Sequence, residues 1–103
     1  MGSKMAPMTL MPVDLLNQAA ECLKIMGHST RLRIAEVLMQ GEFPVHEIAE
    51  LCQSSPAQTC EHLRLMQGHG LLASERRARA VYYKIATPRL PALIRCIRQT
   101  CED

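Results

Sequence analysis

Hydrophobic residues recur at helical spacing through the first part of the chain. The spacing predicts a helix over Val13–Met26 with apolar positions on two sides, so we expect this helix to lie between neighbours rather than on a surface. Gly27 ends it, and Ser29 or Thr30 can cap a second helix over Arg31–Met39. The first part of the chain is therefore predicted to be two consecutive helices.

A third and a fourth helix are predicted next, separated by a short polar turn. Apolar residues at helical spacing indicate the third helix over Val45–Cys52. Ser55 at the N-cap and Pro56 at the first helical position start a fourth helix that reaches about Gln67 and is closed by the glycines after it. Two helices joined by a tight turn are typical of a helix-turn-helix.

Two short strands and a last helix complete the pattern. Leu71–Ser74 and Ala80–Ile85 are predicted strands around a basic turn over residues 75–79. Pro88 opens a final amphipathic helix, whose stripe we expect to pack on the first helix and on a second copy of the chain. That stripe consists of Leu90, Ile94, Ile97 and Cys101. The order α-α-α-α-β-β-α predicts a mainly α fold with a small β-hairpin, a winged helix-turn-helix.

The length and composition of the chain suit one globular domain. With 103 residues, 48% hydrophobic and 21% charged, a domain is assigned to residues 12–103. Residues 1–11 have no periodic pattern and are predicted to be a flexible N-terminal arm, in which Met1–Lys4 resemble an expression scar. Apolar runs of at most four residues exclude a membrane span and a secretory signal, so we expect a cytoplasmic protein.

The charged and polar residues after the third helix predict DNA as the partner. Arg76, Arg77 and Arg79 cluster on the hairpin; such a cluster alone is typical of a solvated turn, but after a helix-turn-helix it favours phosphate contact. We expect the fourth helix to present base-reading and phosphate-binding side chains to the major groove. These are Ser55, Gln58, Thr59, His62 and Arg64. One Phe, two Tyr and no Trp exclude an aromatic platform for single strands.

Three stretches resemble the ArsR/SmtB family of regulators. They are MGHSTRLRI at residues 26–34, the helix-turn-helix with IAEL, EHL and HGLL within residues 48–72, and the wing with RR and VYYKI within residues 76–85. The resemblance covers about residues 13–101. It implies a homodimer joined by the first and last helices, a palindromic double-stranded DNA operator, and repression that is relieved by an inducer.

Some positions depart from the family pattern. Cys60 stands where the family usually has Ser, Glu61 where a basic residue is frequent, and Pro56 where a base-reading residue is common. The wing tip has Ala78 and Ala80 instead of the usual Gly. These departures are compatible with the fold and bear on which operator sequence is bound.

The ligands of the two usual metal sites of the family are missing from this chain. Residues 44–46 read Pro-Val-His where the family has Cys-x-Cys, and no His follows His69 for a site on the last helix. His28 and His62 lie at family-typical positions, with structural or DNA-facing roles. His46 and His69 are isolated in the sequence, so we expect them to be surface residues.

Cysteines are the remaining candidates for a sensor. There are five, without any Cys-x-x-Cys, which fits reduced thiols better than a zinc knuckle or a disulfide framework. Cys22, Cys96 and Cys101 lie in the two helices expected at the dimer interface. Thiolates there would suit arsenite, antimonite, Cd(II) or Pb(II), or equally a disulfide or persulfide switch. A second pair, Cys52 with Cys60, is better interpreted as plain packing.

The competing interpretation of the thiols is that they are small core residues. Cys96 and Cys101, five residues apart, point about 140° apart on a straight helix, and Cys22 and Cys101 lie on apolar stripes. No Gly-rich phosphate loop, nucleophile elbow or carboxylate pair predicts an enzyme. The modest net charge of +2 and Glu61 leave open a winged-helix module that binds a protein instead of DNA.

Overall fold

The computed structural model describes residues 8–101 and has the predicted winged helix-turn-helix architecture. Its elements are α1 (Val13–Met26), α2 (Ser29–Leu38), β1 (Phe43–Pro44), α3 (Val45–Cys52), α4 (Pro56–Gly68), β2 (Leu72–Arg77), β3 (Ala80–Ile85) and α5 (Arg89–Cys101). The proposed scar, Met1–Lys4, lies outside the described residues. None of the described helices has the length and hydropathy to cross a bilayer.

The sheet contains one strand that the sequence pattern did not predict. Strand β1 pairs antiparallel with β3, with Phe43 opposite Tyr83 and Pro44 opposite Tyr82, giving the order β1-β3-β2. Two residues are too few to show the alternation that marks a strand. Strand β1 ties the wing to the start of α3.

The hairpin is longer and its turn tighter than predicted. All six residues of β2 pair with β3, so Arg76 lies opposite Val81 and Arg77 opposite Ala80. The prediction that residues 75–79 form a basic turn is wrong because ladder pairing continues through Arg77. Only residues 78 and 79 form the loop, and Ala78 has a φ of +55°, as primed hairpin turns require.

The core lies between α2, α3, α4, the wing and α5. Its fully buried large side chains include Ile34, Ile48, Leu63, Met66 and Leu90. Helix α5 packs on α2: Ile94 and Ile97 line a small cavity with Leu32, and Arg98 donates a 2.8 Å hydrogen bond to Glu36. The predicted packing on the first helix is confirmed only at Leu90, which lines a cavity with Cys22 of α1, whereas Ile94 and Ile97 face α2. Periodicity identifies an apolar face but not the helix that covers it.

Helix α1 lies on the surface of the single chain. Residues 13–20 are all exposed, and only Ile25 and Met26 of α1 are buried. The prediction that α1 lies between neighbours is wrong for one chain alone. The protruding helix explains a radius of gyration of 17.0 Å, where a compact domain of this size has about 13 Å.

The predicted helix caps are confirmed in part. Ser55 accepts a 3.1 Å hydrogen bond from the Gln58 N–H at the start of α4, as predicted. Helix α2 begins two residues earlier than expected, since His28 is its N-cap and accepts from the Thr30 N–H. Gly70, with a φ of +76°, lies in the left-handed region just after α4.

Candidate nucleic-acid interface and thiol positions

The turn between α3 and α4 is fixed by backbone geometry. Gln53 adopts the left-handed conformation (φ +53°), and the Ser54 N–H donates to the Ala49 carbonyl at 3.0 Å. Ser55 then caps α4. This rigid turn sets the direction in which the N-terminal half of α4 leaves the domain.

Three side chains that were predicted to contact DNA, at the N-cap of α4 and on α4 itself, are exposed. Ser55, Gln58 and Arg64 are all on the surface. The Ser55 hydroxyl accepts from a backbone N–H, so its own O–H stays available as a donor. The Gln58 oxygen accepts from the Ser54 hydroxyl at 3.4 Å, which leaves its amide N–H groups available. Exposed Glu61 adds a negative charge to the same helix.

Thr59 is not at the surface, contrary to the sequence prediction. Its side chain is fully buried, with an exposed fraction of 0%. Thr59, Leu63 and Met66 are spaced to share one face of α4, and that face is the core. The Thr59 hydroxyl has no hydrogen-bond partner among the described residues. Thr59 is therefore a core residue, and the i, i+4, i+7 spacing was the sequence signal for it.

His62 is held by contacts inside the chain. Its Nδ1 accepts a 3.1 Å hydrogen bond from Arg31 Nε, and its ring centroid lies 4.7 Å from that of His28. Burial lowers the pKa of His62, and the nearby His28 and Arg31 lower it further. Only the Nε2 edge of the ring is left for DNA. Sequence reasoning missed Arg31 because 31 residues separate it from its partner.

The wing arginines differ in what they contact. Arg77 pairs with Glu42 and, at 3.1 Å, with Glu75, and its guanidinium lies 4.8 Å from the Tyr82 ring centroid. Hydrogen bonds to the two carboxylates raise the pKa of Arg77. Within residues 8–101, Arg76 and Arg79 form no ion pair. Arg77 thus differs from Arg76 and Arg79 in having two carboxylates beside it, which compensate its charge within the chain.

Arg79 lies beside the helix-turn-helix. It lines an open groove of about 320 Å³ between the wing tip and the first residues of α3 and α4. The other lining residues are Pro44, Val45, His46, Pro56, Ala80 and Val81. The wing and the start of α4 therefore form one continuous face.

The sensor candidates are in different environments. Cys22 is half-buried and lines a cavity of about 210 Å³ with His69 and Leu93, between α1, the end of α4 and α5. His69 is exposed, as expected, but it lines this cavity and so is not isolated, contrary to what its place in the sequence suggested. Cys96 and Cys101 are exposed on α5. Among residues 8–101, no three His, Cys, Asp or Glu side chains lie together as a metal site would require.

The other two thiols behave as packing residues. Burial raises the pKa of Cys52, and the nearby Arg33 only partly offsets it. A raised pKa keeps the thiol protonated and unreactive. Cys60 is half-buried and close enough to Tyr83 to help raise the pKa of that phenol, although burial is the larger cause.

The fold, the capped fourth helix and the cationic wing define a winged helix-turn-helix DNA-binding domain. No protein-family model matches the chain. A solved structure of a predicted DNA-binding transcriptional regulator from E. coli is 30% identical, covers 84% of this chain and 93% of its own, and has a TM-score of 0.76.

Two further relatives carry the assignment to a family. The cadmium resistance transcriptional regulatory protein CadC homolog of Staphylococcus aureus is 31% identical over 84 residues, 81% of this chain and 66% of its own length. The homodimeric winged helix-turn-helix domain of Mycobacterium bovis Mb0332, described as a possible ArsR-family regulator, is 26% identical with a TM-score of 0.79 and covers 95% and 91%. The chain belongs to the ArsR/SmtB family of transcriptional regulators. These relatives are transcriptional regulators and not enzymes, which confirms the expectation from the sequence that the chain is not an enzyme.

Proposed function

We propose that the chain is a homodimeric repressor that binds a palindromic operator through α4 and the wing. The observation that carries this proposal is one face that exposes Gln58 and Arg64 on a capped helix beside Arg76 and Arg79 on the wing. Amide groups pair with adenine edges and guanidinium groups bind phosphate. Ser55 and the Nε2 edge of His62 complete the candidate DNA-contacting set.

A second copy of the chain is the proposed cover for the exposed apolar surface. Among residues 8–101, all but one of the large exposed hydrophobic residues fall in one N-terminal stretch, the exception being Leu51 on α3. They are Met8, Leu10, Met11, Val13, Leu15, Leu16 and Leu23. Contiguous apolar surface of this kind marks an interface. A two-fold dimer would place two recognition helices roughly 34–36 Å apart, one turn of DNA.

Sedimentation velocity of a charged variant tests the dimer. Leu23→Glu places a carboxylate in the proposed interface and should give a monomer that no longer binds a palindromic duplex. Leu51→Glu is the matched control, since Leu51 is 53% exposed and Leu23 57%. A Leu23→Glu variant that sediments as a dimer would remove α1 from the interface.

The salt dependence of duplex binding distinguishes the proposed repressor from a module that binds a protein instead of DNA. Binding of wild type to a duplex should weaken steeply as salt rises, because phosphate neutralisation releases counterions. With Arg64, Arg76 and Arg79 from each protomer on phosphates, the log–log slope should be on the order of −5. No duplex binding at low salt would favour the protein-binding alternative.

We also propose that the inducer is thiol-reactive and acts where α1 meets α5. Cys22 and Leu93 line one cavity, and Cys96 follows Leu93 by three residues, so it lies one turn further along a similar side of α5. Residues 8–101 of one chain hold no group of three metal-ligating side chains. We therefore expect a soft, thiophilic species such as Cd(II), Pb(II), arsenite or antimonite to be held by thiolates from both protomers. The cadmium resistance relative favours a soft metal.

A sulfur link is the alternative form of the same switch. With peroxide as oxidant, two thiols form one disulfide and peroxide is reduced to two water molecules. Polysulfide would instead supply zero-valent sulfur: two thiols and two such sulfur atoms give one trisulfide link, and one hydrogen sulfide leaves with the two thiol hydrogens. Either link, like a bridging cation, would fix α1 against α5 and change the separation of the recognition helices. A typical coupling of 1–3 kcal/mol lowers operator affinity about 5- to 150-fold.

Native mass spectrometry of the dimer distinguishes these forms. Wild type is exposed in turn to arsenite, Cd(II), peroxide and polysulfide, and operator release is measured in parallel. Added mass identifies a bound species, and a loss of two hydrogens identifies a disulfide. The triple variant with Ser at 22, 96 and 101 should bind DNA normally and stop responding. The Cys52→Ser, Cys60→Ser double variant should respond like wild type, and a responsive triple variant would refute the proposal.

A further inference from the structure

Arg31 joins three helices of the domain. It lies in the first turn of α2, and its Nη1 donates a 3.0 Å hydrogen bond to the carbonyl of Ile25 in the last turn of α1. Its Nε donates a 3.1 Å hydrogen bond to His62 in the middle of α4. A planar guanidinium holds its N–H groups in fixed directions, so the two bonds set α4 and the end of α1 relative to one another.

The position of this bridge matters because α1 has little other attachment. The buried residues of α1 are Ile25 and Met26, both in its last turn. The direction of the protruding helix is therefore set close to the carbonyl that Arg31 binds. At its other end, the bridge reaches the helix that carries Gln58.

The bond from Arg31 requires His62 to be neutral. Nδ1 accepts, so the ring proton is on Nε2. Three charged or titratable groups surround His62: His28, Arg31 on α2, and Glu61 on α4 itself. The Nδ1 of His28 accepts a hydrogen bond from the Thr30 N–H. Protonation would place an N–H on Nδ1 against the N–H of Arg31. Two donors cannot form that bond, and the two cations would repel.

We propose that Arg31 is a positioning residue for DNA recognition, which fixes α4 to α1 through neutral His62 and is released when His62 takes up a proton. The inference rests on the proposed DNA binding. It predicts that the bridge controls discrimination between operator and other sequences more than affinity for DNA in general. Misplacement of α4 would cost base contacts, whereas wing contacts to phosphate are independent of sequence.

The first test compares two arginines of the same helix. A binding duplex is selected from a random-sequence pool with wild type, and a scrambled duplex serves as the non-specific reference. Arg31→Gln should lower affinity for the selected duplex about 10-fold, within the usual range of coupling, with little change for the scrambled one. Arg33→Gln removes the same charge from an exposed position of α2 and should leave the ratio unchanged.

The second test uses pH. Between pH 7.5 and 5.5, wild type should lose selected-duplex affinity as His62 is protonated. The Arg31→Gln variant has already lost the bond that protonation breaks, so its affinity for the selected duplex should be low and nearly independent of pH over this range. Nitrogen-15 NMR of histidine in wild type should show His62 protonated at Nε2 only, and DNA binding should lower its pKa by linkage.

The outcomes separate this inference from the proposed function. If wild type binds no duplex, the proposed function fails. If duplexes bind but Arg31→Gln and Arg33→Gln discriminate alike, Arg31 has no positioning role. Affinity that rises on acidification would indicate an imidazolium that contacts phosphate and would also overturn the inference.

Discussion

Arg77 and Glu42 form an ion pair that ties the wing to the segment just before β1. Glu75, on β2 like Arg77, forms a second ion pair with the same guanidinium, which also lies over the Tyr82 ring. The contact converts a cation that sequence alone assigns to DNA into a structural link. It also distinguishes two neighbouring arginines that look equivalent in the sequence.

The wing arginines should therefore differ in salt dependence. Arg79→Ala should weaken binding to all duplexes and reduce the slope of log affinity against log salt by about 0.9 for each protomer that contacts phosphate. Arg77→Ala should leave that slope unchanged, because its charge is already compensated. Fluorescence anisotropy over a salt series measures both. Glu42→Gln is the complementary control and should steepen the slope; equal slopes for both arginine variants would contradict the assignment.

Replacement of the buried Thr59 hydroxyl should stabilise the domain. Thr59→Val keeps the shape and removes an unpartnered buried hydroxyl, which costs about 1–3 kcal/mol when left without a hydrogen bond. We expect the free energy of unfolding in urea to rise by about 1 kcal/mol. Thr59→Ser keeps the hydroxyl but loses a methyl group, so it should destabilise by about 1 kcal/mol. A less stable Thr59→Val would mean that the hydroxyl has a partner.

Glycine at the wing tip should also raise stability. Ala78 has a φ of +55°, a conformation that disfavours a residue with a Cβ. Ala78→Gly should increase the free energy of unfolding by about 0.5–1 kcal/mol. Ala80→Gly, two residues later in β3, should decrease it by a similar amount because glycine weakens a strand. Urea titration of the two variants gives the comparison, and a destabilising change at 78 would argue against strain at this turn.

The stability of the domain should fall in mild acid through His62. Its pKa is lower in the folded chain than the ordinary 6.5, so the unfolded chain binds the proton more readily. The stabilisation is complete above about pH 6.5 and is lost as pH falls towards the folded pKa. Thermal unfolding from pH 7.5 to 5.5 should show a falling Tm for wild type and a flatter profile for His62→Gln. His46→Gln, at an exposed position, should retain the wild-type profile.

Local signals in the sequence predicted most of the architecture. Ser55 and Pro56 mark the start of α4 because capping and a fixed proline φ act within one turn of chain. Periodicity gave α1 and α3 with their observed bounds. It failed for β1, which consists of two residues that pair with β3 far along the chain. Nothing local marks such a strand.

The sequence by itself determined the five helices, the presence of the hairpin, the order of these elements, and the resemblance to the family. The tertiary structure decided which candidate side chains face solvent and which are already bonded. The Thr59 side chain is buried in the core, Arg77 forms an ion pair with Glu42, and His62 accepts a hydrogen bond from Arg31. The contacts of Arg77 and His62 depend on which elements lie against each other, since their partners, Glu42 and Arg31, are 35 and 31 residues away. Helical and strand periods report only neighbours within a few residues, so they cannot encode those contacts.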